Sequence, residues 1–242
     1  MVASRLALER AAWRAKPALR AVYADYYRRI AARLVPGRTL ELGAGTGWSR
    51  DFLPATLLSD VQPAPWLDLV ADAQALPFRD ASLDNLVMLD VLHHLEVPAR
   101  FFAEAERVLR PGGRVVMIEP AITPLSRLVF ALAHDEPVEL GADPLAAATP
   151  GARRDPYAAN QAIPTLLFGR DRARFGRRFA RLALTERRRL SLFAYPLSGG
   201  FRRAALIPAA LVTPLLRLED LVLWLLGPLM AFRLLITLER TP

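Results

Sequence analysis

Apolar residues along this chain change their spacing several times, and each change marks an element. Within residues 4–34, Leu19, Val22, Tyr23, Tyr26, Tyr27, Ile30 and Leu34 recur at three- and four-residue steps, which predicts helix. Pro17 splits that stretch, because its ring interrupts the backbone hydrogen-bond ladder. Pro36-Gly37 ends it. From residue 39 onward, short apolar runs alternate with helical spacing. Strands are expected at 39–42, 57–60, 67–71, 85–89 and 114–118. A short helix is expected from 48, and an amphipathic one over 99–109 with Phe102, Ala105, Val108 and Leu109 on one face. Pro111-Gly112-Gly113 reads as a turn. Strands that alternate with helices predict a parallel sheet covered on both faces.

Beyond residue 120 the pattern loosens. Residues 141–176 are rich in Pro, Asp, Ala and Gly and read as a loop-and-helix insertion. A strand is expected at 190–195 and a last one at 233–239. Between them, residues 204–232 read as a pair of buried apolar helices broken by Pro208, Pro214 and Pro228. No repeat or linker divides the chain. One domain is expected, with a helical lid at 1–36, a core at 37–120 and a decorated substrate-side segment at 121–242.

Composition narrows the chemistry. The 242 residues suffice for one α/β domain with a full core, and 53% hydrophobic content argues against disorder. With no cysteine, disulfides, thiolate nucleophiles and cysteine zinc sites are excluded. Only His93, His94 and His134 could supply imidazole, so no metal site is expected. The net charge of +8 comes almost wholly from arginine, which fits a composition bias as well as an affinity for anionic partners. Residues 1–10 carry Arg5, Glu9 and Arg10 and do not read as a signal peptide, so a cytoplasmic protein is expected.

The chemistry gathers at strand ends, where ligands of open α/β sheets bind. The first strand runs into Leu40-Glu41-Leu42-Gly43-Ala44-Gly45-Thr46-Gly47. An acid before a glycine loop would repel a phosphate but suits a ligand carrying an ammonium. Glycine allows that ligand to approach the main chain, having no Cβ and tolerating positive φ. S-adenosylmethionine is such a ligand. The second strand ends in Asp60, placed to accept from ribose hydroxyls. The third ends in Asp72-Ala73, the fourth in Leu89-Asp90 ahead of His93-His94, and the fifth in Glu119-Pro120.

The segments LELGAGTG, LLSD, ADAQALPF, LDNLVMLDVLHHL and RVLRPGGRVVMIEP, in that order, resemble the class I S-adenosylmethionine-dependent methyltransferases, and more narrowly their type 11 domain branch. The resemblance covers about a third of the chain. It implies a Rossmann-like α/β fold with a seven-stranded sheet, mostly parallel with an antiparallel last strand, and helices on both faces. It also implies that Gly43 and Gly45 lie against the methionine part, with Gly47 also binding the cofactor, and that Glu41 and the Leu89 carbonyl sit near its ammonium. Asp60 would hold the ribose, and Asp72 with Ala73 the adenine. Asp90 departs from the branch, which favours a small or neutral polar residue there. The short second strand, followed by Val61-Gln62-Pro63-Ala64-Pro65, leaves little room for the usual helix.

Methyl transfer from a sulfonium needs alignment above all, and a general base only where the acceptor must lose a proton. By residue type the candidates are His94, Asp90, Glu119 and His134. One histidine of the 93–94 pair could equally pack under the sheet. A nicotinamide site is the nearest rival, but its fingerprint is G-x-G-x-x-G rather than the G-x-G-x-G found here. Polar residues at 134–161 are expected to line the acceptor pocket. The arginines between 170 and 189 read as a solvated helix face or an anion-binding one. Bases would find few stacking aromatics there, so nucleic acid is not an expected partner. A small-molecule or lipid-like acceptor, with peripheral membrane contact through residues 206–232, fits better. A cofactor-binding protein without turnover and a membrane-peripheral protein remain the alternatives.

Overall fold

The computed structural model describes residues 2–133, 136–147, 158–201 and 204–242, with the side chains of 2–5 and 133 outside the description. Two helices open the chain, α1 (Val2–Ala15) and α2 (Pro17–Ala31), with Pro17 at the start of the second as expected. Then follow β1 (Thr39–Leu42), β2 (Leu57–Asp60), β3 (Leu69–Val70) and β4 (Leu83–Leu89). Next come α3 (Pro98–Val108), β5 (Leu109–Pro120) and α4 (Pro124–Ala133). The last third holds α5 (Ile163–Leu167), α6 (Arg172–Arg178), β6 (Leu182–Leu190), α7 (Ala194–Leu197), α8 (Ala209–Met230) and β7 (Arg233–Arg240).

The sheet has seven strands in the order β3-β2-β1-β4-β5-β7-β6. The pairs among β1 to β5 are parallel, and β7 runs antiparallel to both of its neighbours. Two apolar layers cover it. On one face Phe102 of α3 meets Phe168, Phe175 and Phe179 at ring separations of 4.8 to 6.1 Å. On the other, Leu19, Val22, Tyr26 and Ile30 of α2 pack with Val212, Leu216 and Leu223 of α8. Residues that alternate along 86–88 of β4 and 115–118 of β5 serve both layers, so these central stretches are continuously apolar, as a sheet covered on both sides requires.

Three expectations are corrected. The sixth strand lies at Leu182–Leu190, not at 190–195, where the chain turns into α7. Its arginine-rich centre is tolerated because β6 is an edge strand, where Glu186 pairs with Arg33. Residues 209–230 form one continuous helix rather than a broken pair, running through Pro214 and Pro228. The expected turn at 111–113 is part of β5, where the register against β4 jumps from Leu109 to Arg114 and Gly112 takes φ +80°. Between β2 and β3 no helix forms, in keeping with the prolines there.

Candidate active site

A cavity of about 830 Å3 opens at the carboxyl ends of the strands. Local chemistry builds its floor. Leaving β1, the chain folds back on itself: Ala44 N–H donates to the Ser59 carbonyl at 2.8 Å and Gly47 N–H to the Ala44 carbonyl at 2.8 Å. Gly43 has φ +67°, and a Cβ there would sit 2.5 Å from Val91 Cγ2. Gly47 has φ +75°, and a Cβ there would meet Trp66, whose indole N–H donates to the Gly45 carbonyl at 2.8 Å. Gly43 and Gly45 line the cavity, whereas Gly47 sets the loop's turn behind it.

The expected cofactor residues converge. Glu41, Asp60, Asp72, Ala73 and Leu89 all line this cavity. Glu41 is 2% exposed; its Oε1 accepts from the Tyr27 hydroxyl at 3.2 Å, and its Oε2 makes no aligned hydrogen bond. Burial pushes its carboxyl up to about 7, against opposing pulls from Ser49, Tyr27 and Arg50. A buried carboxylate oxygen with no aligned hydrogen bond, and only the Ser49 hydroxyl beside the group, suits a ligand that brings its own cation. Asp60 accepts from Gly45 N–H and Gln62 N–H, both at 3.0 Å, which fixes its carboxylate at the cavity edge with lone pairs to spare. Asp72 accepts from Gln74 N–H at 2.8 Å and stands at the rim.

The proposed lid residues reach the site through α1. Arg10 donates to the Thr46 carbonyl at 2.9 Å and lies 3.9 Å over the Trp66 ring, and Trp13 stacks on Trp48 at 4.3 Å. Tyr23 and Tyr27 face the cavity, while Tyr26 is core, sharing a 2.6 Å hydrogen bond with Ser191.

The candidate catalytic residues separate. Asp90 faces the cavity with φ +60°, accepts from the Tyr23 hydroxyl at 3.2 Å, and pairs with Arg233 at 2.7 Å. Burial raises its pKa and Arg233 opposes that rise. Glu119 lies behind the wall, fully buried. It accepts from Val91 N–H and Leu92 N–H at 2.8 Å each and from His93 Nδ1 at 2.7 Å. Burial pushes its pKa up, but those donors outweigh it and hold the carboxyl below its ordinary value. His93 is disfavoured as a cation by burial, yet Glu119 and Glu136 prevail and raise its pKa to about 9. His94, its ring tilted 40° and 4.2 Å from that imidazolium, is lowered to about 4 by burial and by the charge of His93. Its Nδ1 is buried with no hydrogen-bond partner. His134 lies outside the described residues, as do Asp135, Asp155 and Tyr157.

Ligand atoms of His93, His94 and Glu136 all lie within 4.8 Å of one another. A cation could share them only by displacing the proton that Glu119 and Glu136 hold on His93. Of the polar insertion, Glu136 and Gln161 reach the cavity and bond to each other at 2.7 Å, whereas Asp143 pairs with Arg174 on the surface.

Sequence reasoning missed Arg233 and Tyr195. The antiparallel run of β7 sets its first residue opposite Pro120, the last residue of β5, and so delivers Arg233 to the carboxyl edge. There it is 4% exposed and lies 4.2 Å over the Tyr195 ring. Val129, Phe130, Leu206 and Phe232 add apolar lining, and Phe201 stacks 6.1 Å from Trp48 beside the glycine loop.

A sheet in this order, with a glycine loop after its first strand and acids closing the next two, is the architecture of a class I S-adenosylmethionine-dependent methyltransferase domain. Comparison with known proteins agrees: residues 40–117 match the model of a methyltransferase domain family. A probable S-adenosylmethionine-dependent methyltransferase of Mycobacterium tuberculosis is 31% identical over 139 residues, 49% of each chain. A demethylmenaquinone methyltransferase of Renibacterium salmoninarum is 36% identical over 111 residues, 38% of this chain and 47% of its own. The chain thus spans about half the length of the curated relatives it matches. Among solved structures, geranyl diphosphate C-methyltransferase of Streptomyces coelicolor A3(2) shares the fold at a TM-score of 0.51 and 15% identity, covering 92% of this chain and 80% of that one.

Proposed function

We propose that this protein transfers a methyl group from S-adenosylmethionine to a small acceptor with an apolar, lipid-like body. The observation that carries this reading is that one cavity is lined both by Glu41, Asp60 and Asp72 and by the apolar Val129, Phe130 and Leu206. When bound, S-adenosylmethionine supplies an electrophilic methyl on a sulfonium. Glu41 and the Leu89 carbonyl hold the ammonium, Asp60 the ribose, and Asp72 with Ala73 the adenine. The glycine loop brings bare main chain against the methionine part. The apolar side chains seat the acceptor's body and exclude water from its reacting atom.

His94 is the group proposed to hydrogen-bond that atom. It stays neutral at physiological pH, so the unpartnered Nδ1 can accept from a hydroxyl. Asp90 is the second candidate to receive a proton, with Arg233 holding it in place. Glu119 is a positioning residue that orients His93. The relatives named for demethylmenaquinone and for malonyl-[acyl-carrier protein] support small or lipid-like acceptors.

The test is calorimetry with S-adenosylmethionine on wild type and Asp60→Ala, followed by transfer of labelled methyl into an organic extract of bacterial cells. Wild-type binding that Asp60→Ala weakens, with label entering the organic phase, is the expected result. No wild-type binding would overturn the reading. Binding without label in any fraction would favour a cofactor-binding protein without turnover.

A further inference from the structure

Helix α8 is apolar on two opposite sides. Val212, Leu216, Leu223 and Gly227 face the sheet. Leu218, Leu221, Trp224, Leu225 and Leu229 face outward, a stripe at steps of three and four with Trp224 79% exposed. Helix α4 packs beside it and adds Leu132, 76% exposed. A monomer in water rarely presents so contiguous an apolar surface without a use for it. Among the described residues no helix is long and apolar enough to cross a membrane.

Among the described residues, the charge on this surface that makes no ion pair is positive. Arg217 on α8 and Arg127 on α4 are exposed, each next in sequence to an outward leucine. The acids of α8 are already engaged. Glu219 turns inward to accept from the backbone N–H groups of Leu192, Phe193 and Ala194, and Asp220 pairs with Arg29 and Arg188. A second copy of the chain would bring arginines to arginines, and among the described residues the exposed carboxylate of α8, Asp220, is already held by Arg29 and Arg188. An anionic lipid surface answers both features at once, since acyl chains take the leucines and tryptophan while headgroups take the arginines.

The surface also meets the cavity. On α4, Val129 and Phe130 line the cavity while Leu128 and Leu132 point out; Leu206 lines the mouth and is 77% exposed. We infer that the α4–α8 face docks on anionic membrane and so sets the cavity mouth against the bilayer, where an apolar acceptor can enter without crossing water. The last clause rests on the proposed methyl transfer; the docking itself does not.

Vesicle co-sedimentation tests it, with phosphatidylcholine alone and with phosphatidylglycerol added. Wild type is expected on the anionic vesicles, more weakly at high salt. The double variant Leu221→Glu with Trp224→Glu should bind roughly tenfold less or worse. Because both positions are outside the cavity, its affinity for S-adenosylmethionine should be unchanged, which also shows that it folds. Trp224→Phe should still bind, but should lose the fluorescence quenching that brominated acyl chains cause in wild type. Failure of wild type to sediment with either vesicle would overturn the inference. So would unimpaired sedimentation of the double variant, or a solution dimer that the same two changes convert to monomer. Vesicle binding without S-adenosylmethionine binding would instead sink the methyl-transfer reading and leave docking standing.

Discussion

Arg233 Nη1 stands 2.7 Å from Asp90 Oδ1, joining the ends of β4 and β7 across the intervening strand β5. The contact is an ion pair rather than an aligned hydrogen bond, since Asp90 Oδ1 has no hydrogen-bond partner of its own. Arg233 is nearly sealed from solvent, while a quarter of the Asp90 side chain faces the cavity. Removing one partner of a buried pair leaves a charge that nothing compensates, and the cavity water softens that cost only in part. Arg233→Met should therefore destabilise the fold by about 2 kcal/mol, and pairing it with Asp90→Asn should restore most of the loss. Urea unfolding midpoints check this. Equal midpoints for the single and double variants would show that the pair is not coupled.

Glu41 links cofactor affinity to pH. In the free site its carboxyl is protonated below about 7, because burial disfavours the ion. An ammonium beside it favours the ionised form, so binding releases a proton wherever the free site holds one. Affinity for S-adenosylmethionine should rise with pH up to about 7, approaching about tenfold per unit well below that value, and flatten above it. Calorimetry in buffers of different ionisation enthalpy would detect the released proton. Glu41→Gln should weaken binding and remove the pH slope. A slope that survives in Glu41→Gln would place the titrating group elsewhere.

His93 is held cationic from behind. Its pKa near 9, against an ordinary value near 6.5, means that its stabilising contribution is complete below about 6.5 and is lost as pH rises through about 9. Glu119→Gln keeps the shape and removes one of the two carboxylates responsible. The His93 titration, followed by NMR, should move downward in that variant. Its unfolding midpoint should also depend less on pH between 7 and 9 than that of wild type. An unmoved titration would mean that Glu136 alone holds the proton.

The parts of this molecule that could be read in the sequence are those made by neighbours in the chain. The strand from 39 to 42, the glycine loop and the acids at 60 and 72 declare themselves within a few residues, and the cavity joins them as expected. What could not be read depends on distant partners. Arg233 looks like the first residue of a strand until β7 is known to run antiparallel beside β5. The charged run Glu186-Arg187-Arg188-Arg189 hides a strand because an edge position and the ion pair to Arg33 accommodate polarity that a central strand would not. The prolines of α8 suggest breaks, yet packing against α2 and β6 holds a single helix.

His94 should separate binding from chemistry. Its buried Nδ1 has no hydrogen-bond partner, and the residue lines the cavity without bonding to Glu41 or Asp60. His94→Ala should leave affinity for S-adenosylmethionine within about twofold while lowering methyl incorporation by about a hundredfold. Parallel calorimetry and labelled-methyl assays check this. Equal losses in both would make His94 part of the cofactor site instead.

Gly43 carries two separable demands, one steric and one conformational. A Cβ there would lie 2.5 Å from Val91 Cγ2, and φ is +67°. Gly43→Ala should therefore displace Val91 or the loop and cost cofactor affinity well beyond the roughly 1 kcal/mol that a left-handed alanine requires by itself. Adding Val91→Ala removes the clash but not the backbone strain, so affinity should recover only in part. Gly112 supplies the control: its φ is +80° and nothing lies within 4 Å of its would-be Cβ. Gly112→Ala should cost about 1 kcal/mol of stability and leave cofactor binding intact. If the two alanine variants bound S-adenosylmethionine equally well, close approach of the main chain at Gly43 would not be what the ligand uses.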